Sequence, residues 1–88
     1  MALMIREIWV KAETEEGAEF REVHVISLYK ATMGHSQDGQ SISTEQMFVV
    51  GFYPVTGELV EVPLNETIIK TIQNEKTGEF KTFSKPEA

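Results

Sequence analysis

The sequence predicts an all-β domain assembled from antiparallel hairpins, on the strength of two observations. Runs rich in β-branched and aromatic residues recur along the chain, and three short turns that each contain glycine separate pairs of them. The turns are Thr14-Glu-Glu-Gly17-Ala-Glu19, Pro54-Val-Thr-Gly57-Glu58 and Asn74-Glu-Lys-Thr-Gly78-Glu79. Each places glycine where a hairpin loop of three to five residues commonly needs a left-handed backbone. The last two share Thr-Gly-Glu followed by a hydrophobe, Leu59 or Phe80, while their flanks differ, which indicates recurring turn chemistry rather than a solenoid repeat.

The first run, Met4 to Ala12, sets Arg6, Ile8, Val10 and Ala12 on one face and Ile5, Glu7, Trp9 and Lys11 on the other, so Trp9 stands among charges. The second, Glu19 to Ala31, becomes apolar on both faces beyond Val23, as expected of a long strand whose far end is buried on both sides. Between Thr32 and Thr44 the pattern stops, and this polar, glycine-rich stretch reads as one long loop. Met47 to Tyr53 is continuously apolar, the pattern of a central strand, with Gly51 marking a bulge or a close backbone approach. The fourth run, Glu58 to Leu64, puts Val60, Val62 and Leu64 on one face, and Pro63 assigns it to a strand end or an edge.

Residues 65–75 admit two readings. Asn65 can cap a short helix striped by Ile68, Ile69 and Ile72, but five of the six residues from Thr67 to Ile72 are β-branched and favour a strand paired with Glu79 to Phe83. The strand is the preferred assignment. Six strands in three hairpins make a small roll or a barrel that resembles SH3-like and Sm-like domains in architecture. Residues 1–83 then form one β-rich domain, and 84–88 a flexible C-terminal tail.

Composition narrows the function classes. Eighty-eight residues support one core, and with no cysteine the chain lacks disulfides, thiolate metal sites and thiol nucleophiles, so a cytoplasmic setting is expected. The N-terminal stretch meets charge too early for a signal peptide, and no run reaches the length of a membrane span. Eight basic residues against fourteen acidic ones give a net charge of −6, concentrated in residues 1–69. Such a body does not attract phosphate backbones or anionic membranes, so neither nucleic acid nor membrane is an expected partner.

Chemistry-bearing constellations are sparse. His24 and His35 are the only histidines and Asp38 the only aspartate; no nucleophile motif, metal-ligand spacing or phosphate loop is present, and no enzyme activity, metal or cofactor is expected. Two surfaces remain. Glu13, Glu15, Glu16, Glu19 and Glu22 crowd the first hairpin with Arg21 as the only nearby cation, which reads either as a solvated tip kept charged for solubility or as a ridge, with a spacing comparable to that of nucleic-acid phosphates, suited to a basic partner protein. Trp9, between Glu7 and Lys11, has the mixture typical of an interaction hot spot or a homo-oligomer interface, and equally suits a face packed into the interior. The expected function is therefore a protein-binding module, an inhibitor or accessory factor; in size, acidity and lack of cysteine the chain resembles small accessory proteins of bacteriophages and mobile elements. Two alternatives stand beside it: a small-molecule or nucleotide binder using His35, Ser36, Gln37 and Gln40 of the 33–43 loop, and a homo-oligomeric structural subunit.

Overall fold

The computed structural model describes residues 3–87, except for the side chains of Met33, His35 and Gln37. Six strands, β1 (Leu3–Thr14), β2 (Gly17–Gln37), β3 (Gln40–Phe52), β4 (Leu59–Pro63), β5 (Thr67–Asn74) and β6 (Phe80–Thr82), form one antiparallel sheet in the order β4-β3-β2-β1-β5-β6. The all-β assignment holds. Residues 65–75 follow the strand reading: Leu64–Glu66 make a single 3₁₀ turn, Asn65 caps nothing, and β5 pairs with both β1 and β6.

Turn chemistry sets each register. In the first hairpin Thr14 faces Gly17 across Glu15 and Glu16; the Thr14 hydroxyl donates to the Gly17 carbonyl at 2.6 Å and accepts from the Glu16 N–H at 3.2 Å. The two Thr-Gly-Glu turns close identically. Gly57 N–H donates to Tyr53 O and Gly78 N–H to Asn74 O, both at 2.7 Å, with the glycines at φ +76° and +75°.

The segment expected to be a loop is instead a fourth hairpin. β2 and β3 stay paired from Leu28↔Val49 out to Gln37↔Gln40, and Asp38 and Gly39 turn the chain with φ of 54° and 77°. Positive φ at both central positions is what a two-residue type I′ turn requires, and Asp-Gly supplies it. Polar strand residues hid the ladder. The far end of β2 is also not buried on both sides: Ile26, Leu28 and Tyr29 are exposed, because β1 pairs with β2 only as far as His24.

The sheet must roll. β4 and β5 lie four strand spacings apart in the sheet order, about 19 Å if flat. The link from Pro63 to Thr67 cannot exceed about 15 Å even when extended, and it is coiled in a 3₁₀ turn. Rolling brings Ile8, Val23 and Val49 together as a fully buried centre, wrapped by partly buried residues that include Val10, Val25, Val60, Val62 and Leu64. β4 and β6 remain as edges, and Pro63 ends its edge strand as expected. Beyond the roll, the outer half of the β2–β3 hairpin extends as a two-stranded arm. The radius of gyration, 15.9 Å, accordingly exceeds the about 12 Å of a compact chain this long.

Candidate functional site

The first hairpin register pairs Glu7 with His24 and Trp9 with Glu22 on the outer face of the sheet, opposite to the face that carries Ile8 and Val23. β5 adds Lys70 beside them. Its ammonium lies 2.7 Å from Glu22 Oε1 and 3.2 Å from Glu7 Oε2, while His24 Nε2 lies 3.0 Å from Glu22 Oε1. The Thr71 hydroxyl donates to Glu7 Oε2 at 3.1 Å, and Phe52 meets the His24 ring edge to face at 5.3 Å. A cleft of about 520 Å³ opens over this cluster, bordered by Arg6, Phe52, Phe80 and Thr82.

The charges explain one another. Lys70 holds the Glu22 carboxyl below its ordinary 4.5, burial opposes this, and His24 adds to the lowering. Burial pulls Lys70 down, but its bonds to Glu22 and Glu7 outweigh that and hold its proton above the ordinary 10.5. A depressed carboxyl stabilises the fold above 4.5 and ceases to as pH falls, whereas a raised lysine stabilises below 10.5 and ceases to as pH climbs through its folded value. Replacing Lys70 with methionine is therefore expected to cost about 1 kcal/mol at neutral pH and to flatten both limbs of a plot of melting temperature against pH. Unchanged limbs would show that Lys70 does not govern them.

Glu7, Glu22 and His24 are also the described residues able to hold a metal ion, their ligand atoms lying within 4.8 Å of one another. Lys70, with 18% of its side chain exposed, already supplies positive charge between the two carboxylates, so a metal would have to displace it.

Trp9 links this cluster to a second cleft. Lys70 Nζ lies 4.8 Å and Lys85 Nζ 5.8 Å from the Trp9 ring centroid, so the C-terminal tail passes beside the indole. On the other side, Trp9, Phe20, Tyr53, Pro54 and Val55 line a groove of about 560 Å³, bordered by Arg21, Glu22, Glu58 and Lys85. The Trp9 indole N–H faces no acceptor although it is shielded from solvent. Ligand clefts commonly combine such an apolar lining with a few polar groups.

The acidic hairpin is dispersed by the pleat. Glu13 and Glu22 fall on the outer face and Glu19 on the inner one, where Arg21 Nε holds it at 2.8 Å; Glu15 and Glu16 sit at the turn. The five carboxylates do not form one row, so the spacing of nucleic-acid phosphates is not reproduced. Glu13, Glu15 and Glu16 have no ion-pair partner among the described residues and lie toward the turn of the same β1–β2 hairpin that supplies Trp9 and Phe20 to the aromatic groove. Of the four residues assigned to the supposed loop, Ser36 and Gln40 are exposed on the ribbon near its tip; the side chains of His35 and Gln37 lie outside the described residues.

Comparison with known proteins finds no match: no family model, no curated protein and no solved structure is similar to this chain at a significant level. No helix among the described residues is long and apolar enough to cross a membrane.

Sequence reading singled out Trp9 and the glutamates but passed over Lys70, Phe20 and Tyr53. A signal for part of this was present. A two-residue turn at Glu15-Glu16 sets every cross-strand pair of the first hairpin, including Glu7 with His24 and Trp9 with Glu22.

Proposed function

We propose that this chain is a non-enzymatic protein-binding module, an accessory or inhibitory factor that takes a basic segment of a partner protein into the groove of Trp9, Phe20, Tyr53 and Pro54. The observation that carries this reading is that the hairpin supplying Trp9 and Phe20 to an aromatic-lined cleft also carries Glu13, Glu15 and Glu16, which lack cationic partners among the described residues. Aromatic rings give contact area at low entropic cost, and the unpaired carboxylates steer a cationic segment toward them. Glu22 plays a different part from that expected of it: Lys70 and His24 occupy it, and it serves the groove wall rather than the partner.

Trp9 is the only tryptophan, so its emission reports on the groove directly. Titration with a peptide rich in arginine and proline is expected to shift that emission. Reversing Glu13, Glu15 and Glu16 to lysine should weaken binding at least about tenfold, as should raising salt to about 1 M. A peptide that leaves the emission unchanged at low salt, or binding indifferent to the triple reversal, would sink the reading.

A further inference from the structure

The β2–β3 arm poses a separate problem. From Val25 to Gln37, β2 has β3 on one side and no strand on the other among the described residues, since β1 leaves it after His24. Ile26 is the extra residue of a bulge between Val25 and Ser27, and the bulge turns β2 away from β1. Between the diverging strands lies a notch of about 320 Å³ lined by Leu3, Ile5, Arg6, Ile26 and Leu28. Exposure reaches 57% at Ile26, 36% at Leu28 and 39% at Tyr29. A lone two-stranded ribbon is only marginally stable in water, and an unpaired edge with Val25, Ile26, Leu28 and Tyr29 at its base invites another strand.

The charge pattern indicates which strand. Lys30 is the only formal charge from Val25 to Gln37, and Glu45 of the same arm faces it at 3.6 Å, so the edge is nearly neutral in a chain of net −6. A basic partner finds nothing to bind there, whereas a second copy approaches without repulsion. An antiparallel pairing of this segment with itself has its dyad at Ala31, the midpoint between Val25 and Gln37. It supplies about a dozen main-chain hydrogen bonds, as many as a standard protein interface carries. The same register lays each arm's tip, with Asp38 as its only acidic residue, at the level of His24 and Val25 in the other copy. That is where Arg6, which has no ion-pair partner among the described residues, borders the notch.

We propose that the Val25-to-Gln37 edge of β2 joins the same edge of a second copy, antiparallel about Ala31, to make a symmetric dimer with each arm tip seated beside the other copy's Arg6. The surface is distinct from the aromatic groove, and neither proposal depends on the other. Because the chain has no cysteine, Ala31→Cys introduces a unique thiol next to its symmetry mate, within the span a disulfide bridges. The expected result is a solution mass of twice 10.0 kDa for the unaltered chain, with air-oxidised cross-linking of Ala31→Cys but not of Ser41→Cys, which sits on the other strand of the arm. The pair Ile26→Lys and Leu28→Lys, both at exposed positions, should weaken the dimer at least about tenfold while the far-ultraviolet circular dichroism stays the same. A monomer at about 100 μM, or cross-linking through Ser41→Cys and not Ala31→Cys, would overturn the dimer. Peptide binding to the groove would be unaffected by either result.

Discussion

Gly51→Ala is expected to lower stability by about 3 kcal/mol or more, read as a fall in the urea midpoint without a change in slope. Gly51 is buried where β3 crosses β2, with Val25 and Val60 as its neighbours across the ladder. A methyl group there would run into the carbonyl oxygen of His24 and stand 2.7 Å from Val23 Cγ1. The oxygen belongs to backbone held in the sheet, and the Val23 side chain is fully buried, so neither neighbour can yield cheaply. Relief would require opening the β2–β3 ladder beside the bulge at Ile26. The matched control is Gly34→Ala. Gly34 lies in the same hairpin with nothing within 4 Å of its added carbon, and its replacement should change stability by less than about 0.5 kcal/mol. Equal effects at the two glycines would refute the steric account.

Truncating Ile8 to alanine is expected to remove about 2–5 kcal/mol from a domain of this length, whose whole stability should be about 4–13 kcal/mol. The proportion is large because the core is small: among the described residues only the side chains of Ile8, Val23 and Val49 are fully buried. Ile8 pairs with Val23 on one side and Ile69 on the other, so its loss leaves a cavity shared by β1, β2 and β5. Ile8→Val should cost only about 1 kcal/mol. Val55→Ala, at a turn position 94% exposed, serves as the reference and should melt with the unaltered chain. Thermal unfolding followed by circular dichroism separates the three.

Much of the fold was legible because its signals are local. The glycine turns at Gly17, Gly57 and Gly78 each require a positive φ, and all three take one. Pro63 cannot donate to a ladder and duly ends an edge strand. Gly51 read as a close approach because a glycine interrupts an otherwise bulky central strand, and β2 backbone occupies the space its side chain would fill. The arm was misread for an equally local reason. Its strand residues from Thr32 to Thr44 are mostly polar, and hydropathy alternation cannot show a ladder built of such residues. Asp38-Gly39 carried the missing information, as a two-residue turn flanked by segments of equal length.

Chain chemistry alone was enough to specify strands, most reversals, the acidic excess and the choice of β5 over a helix, because each depends on the backbone preferences of neighbouring residues. Only the tertiary structure placed Lys70 between Glu7 and Glu22, brought Tyr53 beside Trp9 and left the outer half of β2 uncovered. The first of these hangs on the pairing of β5 with β1, which brings together residues some sixty positions apart in sequence. The 3₁₀ link sets that pairing by being too short for a flat sheet, and the length of a connection acquires meaning only once the strands it joins have found their order.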